Sequence, residues 1–297
     1  MKAILKTKAG EGKGNIDLPS QFKEPVRDDL IKRAVLAIHS HKKQPYGTDP
    51  EAGKKYSSKL SRRRRHYKGA YGIGISRVSR KIMSHRGTRF NWMGATNPNT
   101  RGGREAHPPQ AEKVIYRKLN RKERRKAIRS AMAASVIKEL VSARGHVVSE
   151  YPLVIENSAE DMKKTKEVLD MLAKLGLEKE LERAARRSSK TGNAKRRGRP
   201  YQQAIGPLIV VSGKCSLIGA ACNIPGVEVV EVANLNAEVL APGADMGRLT
   251  LYTEGSIKKI AELRLFTDSP VKEEKKAEPK PAKKPAVKKP AVKKVKE

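Results

Sequence analysis

Apolar and polar positions recur with different periods along the chain, and the changes of period divide it into four pieces: residues 1–41, 42–110, 111–266 and 267–297. In the first, Ala3, Ile4 and Leu5 open a short strand, Gly10, Gly12 and Gly14 mark a turn, and Ile16 and Leu18 suit a second strand. The stretch DDLIKRAVLAIHSH then sets Leu30, Ile31, Ala34, Val35 and Ile38 at helical spacing. Asp28 and Asp29 sit in its first turn, where carboxylates complement the helix dipole. In the third piece, Asn120 is placed to cap a helix running through Ala127, Ile128, Ala131, Met132, Ser135, Val136 and Leu140 to a stop near Gly145. Residues 152–155 read as a strand. Ser158 with Asp161 three residues on reads as a capping box for a helix carrying Met162, Val168, Leu169, Leu172 and Leu175 and ending at Gly176. Residues 208–211, 227–232 and 249–252 are strands of the buried type, with helical patterns at 216–221, 233–240 and 256–263. Strands alternating with helices predict an α/β fold, a mostly parallel sheet covered by helices, with 1–41 and 111–266 together making that domain.

The second piece breaks this pattern. Residues 52–104 contain no Asp or Glu, and glycines recur at Gly69, Gly72, Gly74, Gly87, Gly94, Gly102 and Gly103 with little sustained apolar periodicity. Such a segment buries too few apolar side chains to offset the entropy of ordering itself, and it predicts a long extended loop that orders on a polyanion. The fourth piece holds KKPAVKKPAVKK, whose prolines forbid a stable helix and which has no apolar face; a disordered basic Lys/Pro/Ala tail is expected.

Charge sharpens the picture. Lys and Arg number 65 against 31 Asp and Glu, a formal net charge of +34. A compact chain so charged repels itself, and a polyanion relieves that repulsion while releasing counterions. Nucleic acid is the expected partner, ahead of a solubility role or a membrane surface. Cys215 and Cys222 lack C-x-x-C spacing and are expected to be small buried residues in a reducing compartment. The opening MKAILKTKAG has no apolar stretch suited to a signal peptide, and no run approaches a transmembrane helix, so no membrane association is expected.

Catalytic signatures fail one by one. VSGKCS at 211–216 would need glycine where Leu208 stands to be a phosphate loop, and Gly72-Ile73-Gly74 meets Arg77 where a dinucleotide fingerprint needs glycine. His39, His41, His66, His85, His107 and His146 show no metal-ligand spacing with the cysteines, and no G-x-S-x-G motif is present. Glu150, Glu156, Glu228 and Glu231 read as surface or strand-edge charges. No enzyme, cofactor, metal or small-molecule substrate is expected.

What remains is binding chemistry. Arginine presents a planar fork that grips phosphate through two hydrogen bonds and also stacks on bases. The candidate RNA-binding residues are Arg62, Arg63, Arg64, Arg65, Lys68, Arg77, Arg80, Lys81, Arg86, Arg89, Arg101 and Arg104 in the acid-free stretch, where Tyr67, Tyr71, Phe90 and Trp92 are suited to stack on unpaired bases. A second basic cluster, Arg183, Arg186, Arg187, Lys190, Lys195, Arg196, Arg197 and Arg199, has no acid until Glu228 and reads as another RNA-facing loop, with Arg186, Arg187, Arg196 and Arg197 as further candidate RNA-binding residues ahead of a solvated charge run.

Three segments then carry a resemblance: GIGISRVSRK (72–81), RGGREAHPPQAEK (101–113) and NRKERRKAIRSAMAASV (120–136). With the order of pieces, over roughly residues 1–265, the chain resembles the archaeal and eukaryotic branch of the universal large-ribosomal-subunit protein L-four family. The resemblance implies a cytoplasmic structural constituent of the large subunit that binds 23S-type rRNA during assembly and meets neighbouring ribosomal proteins. It further implies that the loop runs through rRNA towards the polypeptide exit tunnel, with its tip beside the nascent peptide near Arg86, Gly87, Arg89, Phe90, Trp92 and Met93. One departure is FNWMGATNPNTR (90–101), less basic than such a tip. Two rivals from other classes are a chromatin-type DNA-binding protein, which would bind duplex DNA as tightly as RNA, and an RNA-modifying enzyme, which would need a cofactor crevice at the strand ends.

Overall fold

Strand β1 (Lys2–Lys6) shows the expected alternation, burying Ala3 and Leu5, and pairs antiparallel with the exposed edge strand β2 (Gly12–Asp17) across the glycine turn. These belong to a computed structural model that describes residues 1–270; beyond 270, the tail expected to be disordered lies outside the described residues. A 3-10 turn (Ser20–Lys23) precedes α1 (Asp28–His41), which spans the whole DDLIKRAVLAIHSH pattern. Next come a hairpin of β3 (Arg80–Arg86) and β4 (Arg89–Gly94), then α2 (Arg121–Ala134), α3 (Lys138–Ala143), β5 (Leu153–Ile155), α4 (Thr165–Lys174) and α5 (Glu178–Ala185). The rest runs β6 (Arg187–Ser189), α6 (Gly192–Arg196), β7 (Tyr201–Gln203), β8 (Leu208–Val211), α7 (Ser216–Ala221), β9 (Glu228–Glu231), α8 (Ala237–Leu240), β10 (Thr250–Thr253) and α9 (Glu254–Glu262). The described residues form two units, one of residues 1–32 with 121–270, the other of residues 33–120.

The first unit is built on a six-stranded sheet in the order β2-β1-β5-β10-β8-β9, parallel throughout except for the β1–β2 pair. Every residue of β5, β8 and β10 is buried, which is why these strands read as continuous apolar runs: each has helices on both faces. Leu153, Ile155, Ile209, Val211 and Leu251 join Val168, Met171 and Leu172 of α4 and Leu217, Ala220 and Ala221 of α7 in one core. Side chains alternate along a strand, so Tyr252 points to the other face. There its ring meets Phe22 edge-on at 5.1 Å and its hydroxyl lies 3.1 Å from Ser135 Oγ. The phenols of Tyr151 and Tyr252 are buried, which pushes both well above the usual range and keeps them protonated.

Several local expectations are corrected. The helix expected from Asn120 to a stop near Gly145 does end there but is two helices, because the Ser135 carbonyl that would continue the ladder accepts the Tyr151 hydroxyl instead, and Ile137 is extended. Ser158 does not cap a helix: its hydroxyl donates to Glu156 at 3.3 Å, residues 157–159 form a 3-10 turn, and α4 starts only at Thr165, leaving Met162 outside it. The last helix begins earlier than expected because Thr253 Oγ1 accepts the Ser256 N–H at 3.2 Å and so fixes its N-terminus. Cys222 is exposed rather than buried, and Cys215 is half-buried, its thiol pushed up by burial.

Candidate nucleic-acid interface

The unit of residues 33–120 has few buried apolar side chains and is held largely by its backbone. Its two legs are pinned together from the base upward. Ser40 Oγ accepts the Arg117 N–H at 2.8 Å, the His41 and Tyr116 rings stack at 5.2 Å, and the Thr48 N–H donates to Pro109 O at 3.1 Å. Higher up, Gly53 at φ +71 lies so close to the other leg that a Cβ there would sit 2.5 Å from the Arg104 nitrogen. Only glycine fits both the left-handed backbone and the contact.

Above the legs, β3 and β4 pair from Arg80↔Gly94 to Arg86↔Arg89, with a bulge at Met83 and a two-residue turn, Gly87-Thr88, in which Gly87 takes φ +58. This hairpin occupies a stretch that shows little sustained apolar periodicity in the sequence. Arg80, Lys81, Arg86 and Arg89 are its cations, and ring contacts rather than aliphatic packing line one side. Phe90 and Trp92, two apart on β4, stack at 4.9 Å, while Tyr67 meets Phe90 edge-on at 5.3 Å and His85 tilts against it at 5.7 Å. Residues 61–69 make a closed loop beside it, with the Ser61 N–H bonded to Lys68 O at 3.0 Å.

The expected cations fall into groups. Arg62, Arg63, Arg64 and Arg65 are all exposed on that closed loop, and Arg86 and Arg89 are exposed on either side of the hairpin turn. Arg77 lies over the Tyr71 ring at 4.3 Å and Lys81 over Tyr56 at 4.0 Å, while Arg80 Nη2 donates to the Ser76 carbonyl and hydroxyl. Arg101 is exposed and Arg104 half-buried; Met93 is exposed at the hairpin surface. Sequence reasoning passed over Tyr56, His66 and Ile73, which lie among these groups; an aromatic within an acid-free stretch was the available signal for Tyr56.

The second basic cluster is also a hairpin, in the first unit. β6 and β7 pair antiparallel from Arg187↔Gln203 to Ser189↔Tyr201, enclosing α6. Arg186, Arg187, Arg196 and Arg197 are exposed on it, Arg187 lying 5.8 Å above Tyr201. Arg183 has a different task. It grips the buried Glu180 through Nη2 and Nε at 2.6 and 2.8 Å and donates to Ile205 O at 2.8 Å. His146 Nδ1 lies 2.6 Å from the same carboxylate and the Val147 N–H donates to it at 3.0 Å. Burial alone would raise the Glu180 carboxyl; these hydrogen bonds outweigh it and hold it at about 2. With Gln203 Nε2 donating to Ala184 O at 2.9 Å, the basic hairpin is tied to α5 at its base. Other arginines are likewise structural: Arg248, buried, bonds Glu228, Gly206 O and Val239 O, and Arg129 bonds Glu24 and Phe266 O.

At the carboxyl ends of β8 and β10, where open α/β sheets hold ligands, the chain fills its own crevice. The Glu160 carboxylate accepts the Ser212 N–H at 3.0 Å, the Ser212 hydroxyl at 2.7 Å and the Thr253 hydroxyl at 2.6 Å. Among the described residues no group of three or more His, Cys, Asp or Glu is placed to hold a metal, and no helix is long and apolar enough to cross a membrane.

Residues 16–263 match the model of the Ribosomal protein L4/L1 family. The chain is 50% identical over 254 residues to the large ribosomal subunit protein uL4 of Nanoarchaeum equitans, covering 85% of this chain and 95% of that one. It is 42% identical to uL4 of Methanoculleus marisnigri and 40% identical to uL4 of Methanocaldococcus jannaschii, in each case over 88% of this chain and 99% of the relative.

Proposed function

The chain belongs to the ribosomal protein L4/L1 family, of archaeal type, and from that premise we propose how it serves as a structural, non-enzymatic protein of the cytoplasmic large ribosomal subunit. It binds 23S-type rRNA during subunit assembly through two basic hairpins. The unit of residues 33–120 supplies the penetrating loop, and its hairpin turn at Gly87-Thr88, flanked by Arg86 and Arg89, reaches towards the exit tunnel and the nascent peptide. The sheet unit is the anchor that meets neighbouring ribosomal proteins, and the 187–203 hairpin is a second rRNA contact.

One observation carries this reading: the exposed cations of residues 52–104 stand on a unit with no acidic residue in that span and hardly any apolar core. Such a unit gains its ordering energy from phosphate neutralisation and base stacking rather than from burial. Phosphate contacts position the loop, and unpaired bases supply what sequence preference there is.

Sedimentation of the native protein with large subunits through a high-salt sucrose gradient tests the reading. Retention on the subunit after loosely held basic proteins are stripped is the expected result. Release into the soluble fraction would rule out an embedded loop.

A further inference from the structure

We propose that the cavity beside the β3–β4 hairpin is a pocket for one unpaired RNA nucleotide, its base against the Phe90–Trp92 stack and its phosphate on Arg65, Lys68 and Arg89. This rests on the RNA-binding reading above and adds the site and the form of RNA it takes. The cavity has a volume of about 650 Å³, within the range of sites that enclose a small ligand. Its apolar lining is Tyr67, Ile73, Phe90 and Trp92, and its polar lining is dominated by Arg65, Lys68 and Arg89, with no carboxylate among the lining residues. An aromatic floor with cations at the rim matches a nucleotide, which joins a π-face to a phosphate.

Two further features separate this pocket from a small packing core. Tyr67 and Ile73 are 55% and 57% exposed, so the apolar lining is open to solvent rather than closed on itself. Arg65 and Lys68 hold left-handed backbones, φ 53 and 61, which non-glycine residues adopt at a cost and which cluster at ligand sites. Both project from the loop closed by the Ser61–Lys68 hydrogen bond. A duplex cannot use the pocket, because its base faces are already stacked and only edges and riboses face outward. A splayed base enters freely.

Trp92 is the only tryptophan, so its emission reports the pocket directly. The full chain is titrated with a short oligoadenylate, the same strand annealed to its complement, adenosine monophosphate, and poly-glutamate, while anisotropy of a labelled strand measures binding itself. The oligoadenylate should quench Trp92 and the duplex should not. Phe90→Ala should weaken the quenching midpoint by about tenfold, as loss of one stacking face does, and Phe90→Tyr should leave it near wild type. Lys68→Gly, which keeps the left-handed backbone and removes the charge, should weaken it severalfold and flatten its salt dependence. Equal quenching by duplex, or unchanged emission while anisotropy reports binding, overturns the pocket and leaves RNA binding standing. Quenching by the monophosphate at the strand's own concentration assigns a free nucleotide instead, and quenching by poly-glutamate assigns an acidic peptide; either overturns the proposal. Absence of binding to any RNA by anisotropy brings down the broader reading as well.

Discussion

Replacing Glu180 by Gln removes one charge and almost no volume from the junction of α5 with the β6–β7 hairpin. The wild-type carboxyl is buried and held at about 2, against an ordinary value of 4.5, by bonds from Arg183, His146 and the Val147 N–H. A folded value below the unfolded one means that the stabilisation is fully present above the unfolded value and is lost as pH falls through the folded one. A gap of roughly 2.5 units corresponds to about 3 kcal/mol, in line with what breaking a buried pair costs. Glu180→Gln should therefore lower urea-unfolding stability at pH 7 by about 3 kcal/mol, and the deficit should shrink as pH is brought from about 4.5 towards 2, where the wild type also becomes neutral. Circular dichroism at a series of pH values measures both proteins under the same salt. A deficit that stays constant from pH 7 to pH 3 would refute the reasoning, since Glu180 would then act through shape and not charge. Loosening of Arg183 from Ile205 O should also quicken tryptic cleavage after Arg196 and Arg197.

Removing charge from the loop is expected to act on binding alone. Changing Arg62, Arg63, Arg64 and Arg65 together to Ala should reduce the slope of log affinity against log salt for single-stranded RNA by roughly 3, at about 0.7 per phosphate contact, while leaving the unfolding midpoint unchanged; an unaltered slope means these arginines touch no phosphate. Phe22→Ala is the converse test. Phe22 is 1% exposed and its ring meets Tyr252 edge-on, so its loss should cost about 3 to 5 kcal/mol by urea unfolding, and a cost below about 1 kcal/mol would show that this face of the sheet is not packed as described.

The elements legible in the sequence are those whose cause is local. β8 and α7 were readable within a residue or so because a run of four buried apolar residues and a short helical pattern need no distant partner to be recognised, and α1 because its acidic first turn and apolar spacing agree. The break between α2 and α3 was not, since it depends on a phenol from Tyr151 that arrives 16 positions later in the chain. Nor was the β3–β4 hairpin: its one short alternation, Phe90 and Trp92, packs ring against ring rather than on an apolar core, and β3 opposite it is largely exposed, so no sustained apolar run marks the pair. The capping-box reading of Ser158 failed for a related reason. The preferred partners of residues 157–160 are Gly255, Ser212 and Thr253, all far along the chain.

The division of labour among the arginines follows the same line. Where cations accumulate without acids is a property of the order of residues, because net charge acts over distances longer than any single contact and needs no particular geometry. So the sequence by itself determined that residues 52–104 and the cluster near 186–199 are cationic surfaces without carboxylates, and that the apolar runs between them build a helix-covered sheet. Which arginine faces solvent and which is spent inside was decided only by the tertiary structure. Arg183 and Arg248 look no different in sequence from Arg187 and Arg196, yet Arg183 is clamped on Glu180 and Arg248 is buried against Glu228, Gly206 and Val239. A guanidinium becomes structural only when folding brings acceptors from several separate segments to within hydrogen-bond reach, and hydrogen bonds fail beyond a few tenths of an ångström of misplacement.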